Sequence, residues 1–576
     1  MSTTTNDDLR RKAIEKLRDL ASHERQCAEG WVDRMDEMTR TVFLTEVCRL
    51  MNVINVKQIM SASTEGRLAS NHFDTLVKGW NALLALLLSH THRQRGLPIV
   101  ETTLERRGMA YSALYRLGMA AVAEDASEML RFGILRCYET EGRLHLKVDE
   151  DRESDHFLDR TEWGRLESVN GDLDESIDKD VAPYFSTDWR RAAKNLVFPF
   201  SFGETTMIGY DMTPEMDDHF IAAVLKATLK WRDGAGIHPN SRFGRLSGGD
   251  IFNAVNAIAS FHLKHIQFVD AGMEVVPGAD FLSSLTIWIS RSDLLDNVMA
   301  ATRLDEASAS EVVDLVTAKA GDSEHFASAA TPYFPFYVQV TDDLLICNVS
   351  AIFRNPLHGI RAVLERKPGG ADSVRGPRED WMQAELYDLF QGNRYQCVSG
   401  QIKLKSGSVT ATDIDAAIMD NISGDVALFQ LKWQDFDTHD IKSQFSKAKN
   451  FSDQTKKWAT RISAILTDLP VNEVYRKCRF KPPSVTTGRV FMFALGRIAA
   501  RFKSYGFAPD NDMITPCSFP QLRRLRQEIG KTPQVFSKLR NAIMAENEIT
   551  YERKPIPHDL HFADDAHIVL DDLWSD

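Results

Sequence analysis

Residues 409–433 read VTATDIDAAIMDNISGDVALFQLKW. Two strand-like runs, 409–420 and 426–433, flank a turn at Asn421 to Gly424. The second run is apolar except for Gln430 and Lys432, which fall on one face because side chains alternate along a strand. Polar groups inside an apolar strand cost free energy unless they are paired, so these two call for a partner or a function. In the first run Asp413 and Asp415 likewise share a side.

The flanking residues extend the pattern. Upstream, a helix is expected over 378–391, begun by Pro377 and stopped by Gly392, with the apolar stripe Met382, Leu386, Leu389 and Phe390. Glu385 projects from or beside that stripe, where an unpaired carboxylate would be costly. A further strand is expected over 394–404. Downstream, Ile441, Phe445, Ala448, Trp458, Ile462 and Ile465 keep a helical period over 438–468, while Lys442, Lys449 and Lys456 line another face and are expected to meet nucleic-acid phosphates. Residues 490–495, VFMFAL, read as a strand covered on both sides. Two helices broken at Gly530 to Pro533 follow over 518–540, where Arg523, Arg524 and Arg526 are placed to meet phosphates.

The order helix, three strands, helix, strand, with an acid on the first helix, D-I-D on the second strand and Q-L-K on the third, resembles the PD-(D/E)xK nuclease superfamily, in particular its Mrr-like restriction-endonuclease branch. The resemblance covers about residues 376–500. It implies an α/β restriction-endonuclease-like domain in which Asp415 is the motif aspartate, Gln430 and Lys432 stand at the (D/E)xK positions, and Glu385 is the first-helix acid. It further implies hydrolysis of phosphodiester bonds, with DNA as the expected substrate, by Mg²⁺ or Mn²⁺ held by Glu385, Asp415 and the backbone carbonyl of Leu431. Gln430 departs from the acid usual in the superfamily and removes a negative charge from the metal site; the resembled branch carries Gln there in active members, so it reads as a variant, and it leaves open a catalytically inactive nucleic-acid-binding or assembly subunit.

Charge divides the chain in a consistent way. Residues 375–545 carry 26 Lys and Arg against 17 Asp and Glu, residues 1–374 carry 41 against 55, and residues 546–576 carry 2 against 9. A basic block between acidic flanks suits a polyanion-binding module attached to regions that bind something else. The N-terminal part reads as mainly α with small hairpins. A helical unit is expected over 1–150, ending in a hairpin at 133–148, and a mainly helical unit over 151–365, ending in a hairpin at 333–349. A linker rich in Gly, Pro and charge is expected at 366–377, the nuclease-like unit with its basic extension at 378–545, and an acidic tail at 546–576.

At 576 residues the chain exceeds a single small module. No apolar run approaches the length of a membrane span, and the start lacks a secretion-type pattern, so a cytoplasmic protein is expected. Seven scattered cysteines, none in a C-x-x-C pair, argue against a disulfide framework. No Walker phosphate loop occurs. Restriction or anti-phage defence is the setting the resemblance suggests, with a protein partner or homo-oligomer restraining the nuclease through the N-terminal region.

Overall fold

The computed structural model describes residues 3–60, 70–89, 101–140, 143–148, 188–329, 333–398, 402–406, 409–434, 441–466, 469–483, 488–502, 505–507, 513–547, 557–561 and 567–571. Helices predominate and the sheets are small. The N-terminal part is built from the helices Thr3–Asp33, Glu37–Met60, Ser70–Leu88 and Leu104–Arg131, followed by the antiparallel hairpin Leu135–Thr140 and Arg143–Val148. Two of these helices touch backbone to backbone. A Cβ on Gly79 would sit 2.0 Å from the Leu114 carbonyl oxygen, and one on Gly118 would sit 1.9 Å from that of Thr75. Only glycine allows that approach.

The apolar core ignores the boundary expected near residue 150. One buried cluster runs from Ala28, Trp80 and Leu114 through Ile258 and Phe336 to Val374. Hydrogen bonds cross it: Trp80 Nε1 donates to the Tyr333 carbonyl at 2.9 Å and Asn52 Nδ2 to that of Cys347 at 3.1 Å. The units expected at 1–150 and 151–365 therefore share a core, because helices with broad apolar faces bury them against whatever complementary face is nearest. A hairpin not foreseen in the sequence, Val197–Phe202 with Thr205–Tyr210, packs on the helix Gly248–Met273 through Ile208.

The expected linker is a tight turn between helices. The helix Pro356–Arg366 ends, Gly369 takes a φ of 71°, and the helix Gly370–Asp388 begins well before the expected start, with Pro377 inside it. A Cβ on Gly370 would meet the Leu364 carbonyl oxygen at 1.9 Å. The Gly content thus serves close approach, and Val374 is fully buried.

The α/β unit that follows holds a five-stranded sheet in the order Tyr395–Cys397, Ala416–Asp420, Val426–Lys432, Val490–Gly496, Thr515–Ser518. The first two junctions are antiparallel and the last two parallel. Met382, Leu386, Leu522 and Phe536 cover one face against Phe429 and Phe493. Phe451 and Trp458 of the helix Ile441–Leu466 cover the other, in a cluster that also takes in Leu17, Ala123 and Leu146 of the N-terminal part. The edge strand Thr515–Ser518 escaped the sequence reading because TPCS has none of the periodicity of a longer strand. The run expected as one strand over 409–420 is two: Val409–Ile414 pairs with Ile402–Ser406 as a separate ribbon, and Ala416–Asp420 enters the main sheet.

The acidic tail is not wholly separate. Its strands Pro557–His561 and His567–Asp571 pair with each other, and the second adds in parallel to Arg143–Val148. Among the described residues all seven cysteines are free, and no helix is long and apolar enough to cross a membrane.

Replacing either glycine of the helix crossing by alanine forces two backbones apart. Gly79→Ala and Gly118→Ala are each expected to lower stability by about 1–3 kcal/mol. Gly108→Ala on the same helix, where a Cβ meets nothing within 4 Å, is expected to stabilise by up to about 1 kcal/mol through helix propensity. Urea unfolding midpoints separate the two outcomes.

Candidate active site at a strand break

Asp415 sits where the run 409–420 breaks, and its position follows from the ladder around it. The pairing of Ala416–Asp420 with Val426–Lys432 extends as far as Ala416 opposite Phe429. The Asp415 N–H then donates to the Phe429 carbonyl at 3.2 Å, and the chain leaves the sheet. Beyond that point the Asp415 side chain replaces the missing strand. Its Oδ2 accepts the Leu431 N–H at 2.8 Å and the Gln430 side-chain amide, Nε2. Among the described residues Oδ1 carries no protein hydrogen bond. In a strand the N–H and C=O of one residue point to the same edge, so the Leu431 carbonyl faces the gap that Asp415 borders.

The site is buried at its base and open at its rim. Asp415 and Gln430 are each 6% exposed. Lys432, half-buried, lies close enough for its ammonium to favour the Asp415 carboxylate. From the helix Gly370–Asp388, Gln383 Nε2 donates to the Asp415 carbonyl, and Glu379, one turn earlier and exposed, brings a second carboxylate into its electrostatic range. Asp413 adds a third negative charge nearby, while its carbonyl accepts Trp458 Nε1 at 2.7 Å and so ties the long helix to the ribbon beside the site. Burial pushes the Asp415 carboxyl up to about 6; the Leu431 N–H and Lys432 oppose the rise, and Glu379 and Asp413 add to it.

Of the residues expected to converge, Asp415, Gln430 and Lys432 do so. Glu385 does not join them. Its carboxylate pairs with Arg497, which is 4% exposed on its side chain and stacks over the rings of Trp433 at 4.7 Å and Phe519 at 4.8 Å. The physical reason is helical phase: Glu385 follows Gln383 by two residues and so points to a different side of the helix. Glu379, one turn before Gln383, is the helix carboxylate whose charge acts on Asp415. The sequence held the signal, since Glu379 and Gln383 are four apart and both fall within the helix expected over 378–391, but Glu385 was chosen for its place beside the apolar stripe.

The expected phosphate contacts also divide. Lys442, Lys449 and Lys456 are exposed on the helix Ile441–Leu466. Arg524 is committed to Glu528 at 3.1 Å and Glu546 at 2.8 Å. Arg526 donates to the Gly530 carbonyl at 2.7 Å and the Tyr395 hydroxyl at 3.3 Å and stacks on Phe390. Arg524 joins the last two helices to each other and Arg526 joins them to the edge strand through Tyr395; Arg523 is half-buried.

The donor set suits a hard cation. Asp415 Oδ1, the Glu379 carboxylate and the Leu431 carbonyl are oxygen ligands of the kind Mg²⁺ uses while it keeps several waters. Among the described residues no group of three or more His, Cys, Asp or Glu is disposed to hold a metal, which excludes a closed cage there but not this partly hydrated arrangement.

A carboxyl raised in the folded chain keeps a proton that the unfolded chain has already released. The stabilisation is complete below about pH 4 and is lost as pH rises through about 6. Asp415→Asn keeps an acceptor for the Leu431 N–H without this titration. In EDTA it is expected to gain on the wild type by on the order of 2–3 kcal/mol between pH 4 and 7.5, measured by urea unfolding at each pH; a difference independent of pH would contradict the burial argument. In comparisons with known protein families, curated proteins and solved structures, the chain matches none of them.

Proposed function

We propose that residues 370–547 form a metal-dependent nuclease that hydrolyses phosphodiester bonds, with DNA as its substrate, in a restriction or anti-phage defence setting, and that the N-terminal region restrains it or binds its partner. One observation carries the reading: a buried aspartate at a strand break bonds to the strand that presents Gln430 and Lys432, within electrostatic range of a helix carboxylate. The sheet order, antiparallel then parallel with helices on both faces, agrees with the restriction-endonuclease-like arrangement that the sequence resembles.

Each residue then has a chemical task. Mg²⁺ or Mn²⁺, when bound, supplies Lewis-acid polarisation of a phosphate oxygen and acidifies a coordinated water. Asp415, Glu379 and the Leu431 carbonyl would hold it. Gln430 keeps the Asp415 carboxylate in one orientation through its amide. Lys432 places an ammonium where negative charge builds on the phosphate and takes part in positioning the attacking water. Lys449 and Lys456, exposed on the neighbouring helix, meet backbone phosphates and make binding salt-dependent.

Gln430 also favours a second reading, a nucleic-acid-binding or assembly subunit that does not cleave. A neutral amide stands where the resembled superfamily carries an acid, and its N–H is used within the site. The two readings separate on Lys432→Ala, which abolishes cleavage in the first and leaves binding untouched in the second.

In a plasmid-cleavage assay with Mg²⁺ or Mn²⁺, Asp415→Ala and Lys432→Ala are expected to lower the rate at least about 100-fold. Glu379→Gln is expected to raise the metal concentration needed for half-maximal rate more than Glu385→Gln does. A wild-type chain that never cuts duplex or single-stranded DNA, or RNA, with either metal would remove the nuclease reading.

A further inference from the structure

The strand that carries Lys432 is supported from outside the α/β unit. The helix Pro214–Ala235 ends at Gly236, which takes a left-handed conformation, φ 67°. Its last carbonyls are gathered by Arg378, a residue of the helix that bears Glu379. Arg378 Nε donates to the Gly236 carbonyl at 3.0 Å and Nη2 to the Ala235 carbonyl at 3.0 Å, while Arg361 Nη1 also donates to Ala235 at 3.1 Å. Arg378 is 3% exposed, and its charge lies against the negative end of that helix.

The contact continues to the next residue after the catalytic lysine. Two guanidinium groups stack over the Trp433 ring, that of Arg378 at 5.6 Å and that of Arg497 at 4.7 Å from its centre. The fit at the helix end is tight: a Cβ on Gly236 would lie 2.7 Å from Arg378 Nε and 2.9 Å from Trp433 Cζ2. The Arg497 backbone N–H donates to the Lys432 carbonyl at 2.9 Å, so the Lys432–Trp433 peptide is fixed by this bond and by the packing of the Trp433 ring. Trp381, tilted against Trp433 with ring centres 5.3 Å apart, closes the stack.

We infer that the C-terminal end of the helix Pro214–Ala235 is a structural part of the cleavage site, and that Arg378 and Trp433 are positioning residues that hold Lys432 in place. The inference rests on the nuclease reading above. Its consequence is that the α/β unit depends for its rate on a segment of the helical region, through which any event that displaces Gly236 reaches Lys432 directly.

The test uses the full chain and steady-state cleavage of plasmid DNA with Mg²⁺. Arg378→Met and Trp433→Phe are expected to lower kcat about 10- to 100-fold, the scale of a small misplacement at a reacting centre, with KM for DNA within about twofold and far-UV circular dichroism unchanged. Arg378→Lys, which restores a donor, recovers part of the loss, as a purely packing role would not. Gly236→Ala gives the same split without altering either side chain. Folded Arg378→Met and Trp433→Phe proteins that cleave at the wild-type kcat, or that lose activity only through KM, overturn the inference. A wild type without cleavage instead removes the reading on which it rests, so the two failures are distinguishable.

Discussion

The Asp415 carboxylate acts as the last rung of the ladder between Ala416–Asp420 and Val426–Lys432. Where the main chain leaves the sheet, the Leu431 N–H would otherwise be buried without a partner, at a penalty of about 1–3 kcal/mol. A side-chain oxygen takes the place of a backbone carbonyl there, and the geometry of the cleft depends on that substitution. It engages the Gln430 amide, Lys432 stands on the same face of the strand, and the Leu431 carbonyl points to the same edge as its N–H. It also places a carboxylate where burial raises its proton affinity, since one of its oxygens must remain in the cleft.

The second constraint is the placement of positive charge beneath the sheet. Arg497 and Arg378 are each almost wholly buried, and neither could be so without compensation. Glu385 compensates the first and helix-end carbonyls the second, with aromatic faces between them. This arrangement joins the helical region to the α/β unit through hydrogen bonds as well as apolar contact. Together with the shared cores on both sides of residue 150 and the tail strand added to the N-terminal hairpin, it ties together units that composition would separate.

Much of the α/β unit was legible because its signals are local. A polar pair in an apolar strand, the turn at 421–424, the helical period of Ile441, Ala448, Trp458 and Ile462, and the apolar run at 490–495 each arise from neighbours a few residues apart. The readings that failed depended on partners distant in sequence. Gly369 and Gly370 were taken as a linker, although their glycines serve a close helix turn. Glu385 was placed in the site because it borders an apolar stripe, but Arg497 is what it neutralises. Arg524 and Arg526 looked available for phosphates because Glu546 and Tyr395 are not their sequence neighbours.

By itself the sequence determined the residue chemistry: which strand carries an amide and an amine, which run carries the aspartates, and which stretch of the chain is basic. Those properties follow from side-chain identity and the two-residue period of a strand, and no folding is needed to state them. Only the tertiary structure decided which helix carboxylate acts on Asp415, that the residue after Lys432 packs against the end of a helix some two hundred residues earlier in the chain, and which arginines are already committed. A charge pairs with whatever opposite charge or carbonyl packing brings within a few ångströms, and packing is settled by the whole chain at once.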